Sequence, residues 1–201
     1  MATKNEPIVW IDCEMTGLDP KIDSLIEVAV LITDSNLEVL DPKGIDIVIK
    51  ADKPEAVKNM NDYVTQMHTN SGLIEEIKTG ADLQDAEAEV LAYIQKFIPK
   101  PGRALLAGNS IGTDKAFLSE YMPSVVDHLH YRVIDVSTVK ELARRWFPRA
   151  YFNAPKKDEG HRALADIIES IKELQYYHEA IFLKDPGYSS EELAEISKKY
   201  N

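Results

Sequence analysis

Eight consecutive residues, Ile8-Val9-Trp10-Ile11-Asp12-Cys13-Glu14-Met15, have the character of one β-strand, and two of them are acids. Spaced i and i+2, Asp12 and Glu14 project from the same face of that strand, with Cys13 on the other. A carboxylate pair inside an otherwise apolar segment is costly to desolvate unless something pairs with it. The usual partner is a cation, and a ligand set made of oxygen atoms alone suits Mg²⁺ or Mn²⁺. The strand therefore admits two surroundings. Either its acid face closes on a bound cation, or it ends there and both acids are solvated.

Three further residues bear on that choice. Asp114 closes the Gly-punctuated turn Gly108-Asn109-Ser110-Ile111-Gly112-Thr113-Asp114, which follows the apolar run Ala104-Leu105-Leu106-Ala107. Asp166 opens a long helical pattern near the C-terminus, and His161 precedes it by five residues. Singly, each has a plain structural role open to it. Asp114 and Asp166 suit the first turn of a helix, where the dipole favours acids, and His161 suits a loop. Jointly, D-x-E on a first strand, N-x4-D after a later one and H-x4-D at a last helix form a far rarer pattern.

That order of motifs resembles the DEDDh exonucleases, which have an RNase H-like fold, and within them the oligoribonucleases. The similarity runs from about Val9 to Phe182. It is carried by the strings WIDCEMTGLD (10–19), GNSIG (108–112), HYRVIDVST (130–138) and KELARRW (140–146). The resemblance implies an α/β fold with a mixed five-stranded sheet flanked by helices. It implies a metal-dependent 3′→5′ exoribonuclease acting on very short RNA, dinucleotides above all. Asp12, Glu14, Asp114 and Asp166 would hold two divalent cations, Mg²⁺ or Mn²⁺, roughly 4 Å apart for in-line phosphoryl displacement. His161 would be the general base. Around a regular helix His161 and Asp166 lie about 140° apart, which places His161 on the loop ahead of the helix.

Substrate contacts follow from the same resemblance, residue by residue. Leu18 matches the leucine that wedges between the two bases, and Tyr63 stands where some relatives have a packing Trp. His68 matches a segment near the substrate, and Asn109 opens the N-x4-D motif. Ser110, Arg132, Ser137 and Thr138 match the residues that cap the 5′ phosphate. A helix N-terminus also binds anions, so Ser137 and Thr138 suit both capping and binding. Tyr131 matches a tyrosine that reaches the partner subunit's site, which implies a homodimer.

Bulk charge limits the partners. The net charge is −11 and the sequence pI about 4.9, poorly suited to holding a long nucleic acid by phosphate neutralisation. Residues 131–162 carry eight basic and four acidic side chains, +4 against −15 for the remainder. Arg144, Arg145 and Arg149 fit a solvated helix face, while the local excess also suits steering of a small anion. A single Cys excludes an internal disulfide and fits a reducing cytosol. No signal peptide is expected ahead of Ile8, and no apolar run approaches membrane-spanning length. A cytoplasmic location follows as an expectation.

Along the chain, residues 8–15, 24–34 and 45–51 are strand-like runs separated by turns, predicting a three-stranded antiparallel meander. Residues 59–78 read as a helix interrupted near Ser71-Gly72. Val90, Leu91, Ile94, Phe97 and Ile98 form one helical stripe. Strands are expected at about 104–107 and 132–136, the first followed by a helix stopping at Pro123. The helix after the second has Thr138 and Glu141 spaced as a capping box. A last helix, about 163–182, should bury Leu164, Ile167, Ile168, Ile171 and Leu174. The domain is expected to span 1–183, with a polar tail at 184–201 carrying a short exposed helix. Two other functions stay open: a DEDDh exonuclease trimming DNA or longer RNA, and a non-catalytic acidic module that binds a metal or nucleotide.

Overall fold

The three early runs form the expected meander: β1 (Ile8–Met15), β2 (Leu25–Thr33) and β3 (Ile45–Val48). The computed structural model describes residues 6–156, 162–184 and 186–200. After a short α1 (Pro54–Lys58), the stretch expected to be helical and interrupted near Ser71-Gly72 is α2 (Asp62–Asn70) and α3 (Leu73–Glu76). Asn61 starts α2 by accepting from the Val64 amide, a standard capping bond. Gly72, at φ 80°, separates α2 from α3, a left-handed conformation that glycine adopts without steric cost.

The chain continues through α4 (Leu83–Phe97), β4 (Leu105–Gly108), α5 (Gly112–Tyr121) and α6 (Pro123–His128). Then come β5 (His130–Asp135), α7 (Val136–Trp146), α8 (Pro148–Phe152), α9 (Ala163–Ile181) and α10 (Ser190–Ser197). The sheet order is β3-β2-β1-β4-β5. β1 pairs antiparallel with β2 and parallel with β4, so the strand bearing the two acids is central. Every residue of β2 is buried, which is why its sequence, Glu27 apart, is an apolar run rather than an alternation.

Two cores follow from the pleat. Val9, Ile11 and Cys13 point to the side covered by α4, α5 and α6, with Val90, Ile94, Phe117 and Val125 among the partners. Trp10, Ala29, Leu31 and Ala107 point to the other, beneath Val136 of α7 and Ile167 and Ile171 of α9. Trp10 is fully buried, and its indole N–H is satisfied by Thr33 Oγ1 at 3.0 Å. Asp12 and Glu14 continue the Trp10 face, so the first turns of α9 lie over the acids.

Two local expectations need correction. Thr138 and Glu141 do not form a capping box. α7 starts at Val136 because Asp135, an equally good cap that comes earlier in the chain, accepts from the Ser137 amide. Glu141 instead pairs with Arg144 and Arg145 on an exposed face, at 2.8 and 2.7 Å. In α9, Ile167 and Ile171 are buried and Leu164 and Leu174 pack beside them, but Ile168 is exposed, one step round from that stripe. The tail carries α10, whose residues are almost all exposed and which starts with a capping box of Ser189 and Glu192.

Candidate active site

Asp12 and Glu14 on β1 meet Asp166 on the first turn of α9. One carboxylate oxygen from each lies within 4.8 Å of the others. Asp114, in the first turn of α5, approaches from β4's end of the sheet, and its Oδ1 accepts the Cys13 amide at 3.1 Å. That bond places its carboxylate against the peptide between the two β1 acids. Gly108 ends β4 where a Cβ would come within 2.8 Å of Ile111 Cδ1 and 3.1 Å of Ile11 O, so a side chain there would displace Ile111 and press on the β1 backbone.

The charges are mutually unfavourable. Burial first, then Asp114, Glu14 and Asp166, pushes Asp12 well above the ordinary carboxylate range. Burial and then Glu27 push Glu14 up to about 8. Burial raises Asp114 to about 6, against the opposing effect of amide hydrogen bonds to its carboxylate. Asp12 and Glu14, whose ionisation the neighbouring carboxylates oppose, stand in a donor set of oxygen alone, which fits hard divalent cations. The donor set therefore suits a divalent cation.

Glu27 stands beside these acids, outside the three sequence motifs. It lies directly across from Glu14 in the β1–β2 register and is 0% exposed. Its carboxylate accepts from Arg162 Nε at 2.8 Å and from the Ala163 amide at 3.1 Å. Arg162 also reaches Glu76 of α3 with two bonds, 3.1 and 3.0 Å. A buried acid satisfied in this way fixes the start of α9, and with it Asp166. The signal was available: Glu27 is a lone acid inside an apolar run, as Asp12 and Glu14 are.

A second polar corner forms where β4 and β5 end. Ser110 takes a left-handed φ of 53°, costly for a non-glycine residue. Its amide donates to Asp135 Oδ1 and to Ser137 Oγ, both at 3.0 Å. Asp135 Oδ1 also accepts the Ser137 amide at 2.9 Å and the Ser137 hydroxyl. Ser110 and Ser137 are thus brought together, and exposed Thr138 follows on α7. Arg132 lies over the Tyr131 ring and donates from Nε to its hydroxyl at 3.1 Å. Both are exposed on β5, at the edge of the sheet. Asn109 faces α9, its amide donating to Ser170 at 2.8 Å and Glu173 at 3.1 Å.

Leu18 and Tyr63 line one cleft of about 590 Å³, together with Glu14, Asn61 and Met67. Leu18 is 81% and Tyr63 69% exposed. His68 is fully buried, with Nε2 2.9 Å from Met15 O, and so braces the end of β1. His161 lies outside the described residues.

Residues 9–174 match the exonuclease family model RNase_T. The oligoribonuclease of Leifsonia xyli is 60% identical over 192 residues, covering 96% of this chain and 92% of that protein. That of Streptomyces avermitilis is 56% identical over 196 residues, covering 98% and 97%. Among solved structures, E. coli exonuclease I with a bound oligonucleotide superposes with a TM-score of 0.60 at 17% identity. The match covers 88% of this chain and 41% of that one, a likeness of fold. Asp12, Glu14, Asp114 and Asp166 thus stand on an exonuclease framework, and the chain belongs to the oligoribonuclease family.

Proposed function

We infer that this chain is a metal-dependent 3′→5′ exoribonuclease that hydrolyses very short oligoribonucleotides, chiefly 5′-phosphorylated dinucleotides, to mononucleotides. The observation that carries this reading is the convergence of Asp12, Glu14 and Asp166 within 4.8 Å, with Asp114 bonded to the peptide between the first two. These four acids would hold two divalent cations, Mg²⁺ or Mn²⁺. When bound, the cations supply activation of water and neutralisation of charge on the leaving 3′ oxygen. His161 takes the proton from the attacking water, a role supported by its spacing from Asp166 and by the family resemblance.

At the other end, Leu18 separates the two bases and Tyr63 packs beside them. Ser110, Arg132, Ser137 and Thr138 hold the 5′ phosphate. Asn109 and His68 serve this site from behind, tying the β4 turn to α9 and the end of β1 to α2. Tyr131, exposed on the edge strand, completes the site of a second copy in a homodimer. No helix among the described residues is long and apolar enough to cross a membrane, and we assign the enzyme to the cytosol, where a lone buried Cys13 stays reduced.

A phosphate cap on one side and a fixed scissile bond on the other leave room for two nucleotides. A third would have to pass the cap and lose charge-assisted bonds that favour a terminal dianion over a diester. An acidic surface offers a longer strand little in return. Affinity measured for 5′-phosphorylated RNAs of two to seven nucleotides should therefore fall in one step between two and three. A flat series would favour an exonuclease that trims DNA or longer RNA.

A further inference from the structure

The turn that carries Leu18 has almost no apolar burial of its own. Leu18, Asp19, Lys21 and Ile22 are all exposed. Polar contacts hold it instead. Asp23 accepts the Asp19 amide at 2.9 Å and the Thr16 hydroxyl at 3.3 Å, and a Cβ at Gly17 would overlap its carboxylate. The Ile22 and Asp23 amides return to Asp19 O at 3.1 and 2.8 Å.

One ammonium fastens this turn to the rest of the molecule. Lys53 Nζ approaches three backbone carbonyls, Lys21 O at 2.9 Å, Pro20 O at 3.1 Å and Asp23 O at 3.3 Å. It also donates to the Tyr121 hydroxyl at 2.6 Å, and that hydroxyl donates to Asp23 O. The Lys53 amide donates to Ser24 Oγ at 3.2 Å. Lys53 directly precedes α1, which leads to Asn61 and Tyr63 on the facing wall of the cleft. Tyr121 is the last residue of α5, the helix whose first turn holds Asp114. A single cation therefore joins both walls of the cleft to an element of the metal site. Carbonyl oxygens that converge in this way repel one another unless a donor stands between them, and hydrogen bonds to a charged donor are the stronger kind.

We propose that Lys53 is a positioning residue for the substrate bases. Its ammonium fixes the Leu18 turn against α1 and α5, sets the width of the cleft, and so sets affinity for two bases that it does not touch. This rests on the reading of Leu18 as the wedge between those bases.

Lys53→Met keeps the side-chain stem and removes the ammonium. With a 5′-phosphorylated dinucleotide, KM should rise about tenfold, the effect of losing roughly one charged hydrogen bond. Turnover at saturation should stay within about twofold, because only uniform binding is lost. In a Leu18→Ala background the same substitution should add nothing to KM, since the two act as one unit. An unchanged KM in Lys53→Met, or an equal cost with and without Leu18, would overturn the inference while leaving the wedge intact. If Leu18→Ala alone leaves KM unaltered, the wedge reading falls and this inference falls with it. Should Lys53→Met fold poorly, Tyr121→Phe removes only the linking hydroxyl. It should raise KM about threefold, as for one neutral hydrogen bond, and speed hydrogen exchange at the Ile22 and Asp23 amides. No change in either would also sink the proposal.

Discussion

The acid face of β1 and the Ser110–Asp135–Ser137 corner both lie at one end of the parallel strands, and both suit a charged ligand. Their internal balance is opposite. On β1, Asp12 and Glu14 face Asp166 and Asp114, each carboxylate raising the cost of ionising the next. At the corner one carboxylate, Asp135, already collects two amides and a hydroxyl. The first arrangement is unfavourable until opposite charge arrives. The second is satisfied by the chain itself, so an incoming phosphate has to share or displace bonds that exist. Cation binding should therefore be worth much more than phosphate binding, and phosphate binding should be the more easily tuned.

The comparison breaks most visibly at Asp12. Asp12→Ala should cut hydrolysis by at least the order of 10²–10⁴ that a single positioned acid–base group contributes. Calorimetry should show weakened Mn²⁺ binding with circular dichroism unchanged. Near-normal turnover in a soluble variant would end the cation half of the comparison. His161→Ala should cost a factor on the order of 10²–10⁴ in turnover with affinity intact. The pH–rate limb rising near ~6.5 should vanish with it; lost affinity with normal turnover would instead make His161 a binding residue.

The phosphate corner should respond more gently. Arg132→Ala should weaken a 5′-phosphorylated dinucleotide about tenfold, within the range of one charge-assisted bond, and leave the unphosphorylated dinucleotide unaffected. Equal losses for both would show that Arg132 acts on something other than the phosphate.

The smallest effect concerns stability without metal. Folding raises Glu14 from an ordinary 4.5 to about 8, so between those values the folded state holds a proton that the unfolded state has lost. Metal-free stability should accordingly be greatest toward pH 4.5 and decline as pH rises through that window. Glu14→Gln should flatten the slope and raise the metal-free Tm near pH 8, by about 2–4 °C per kcal/mol relieved. Mg²⁺ should reverse the ranking of the two proteins. A steeper slope in the variant would mean that Glu14 is not under strain.

The sequence made β1, the meander and α9 legible because the same residues that fix burial also fix period. It was legible, too, that Asp12 and Glu14 share a face, since the pleat allows nothing else. What escaped depends on contacts far apart in the chain. Glu27 is satisfied by Arg162, 135 positions away, and Lys53 by Tyr121, 68 positions away. Neither pairing leaves a local trace. The start of α7 was misplaced because Asp135 and Thr138 are both competent caps and only the ladder with β4, which ends at Gly108 opposite Asp135, decides between them.

The linear order of these parts also bears on how the enzyme is made. Asp12, Glu14 and Glu27 all belong to the meander, whose three strands pair with their neighbours in the chain before β4 joins β1. Asp114 arrives after four helices and a strand, and Asp166 only with α9, whose start is set by Glu27. Domains commonly fold from the N-terminus during synthesis, at roughly 5–20 residues per second. A nascent chain would therefore display Asp12 and Glu14 for several seconds before Asp114 and Asp166 were available. Nuclease competence then has to wait for α9, which brings Asp166 to the acids of β1.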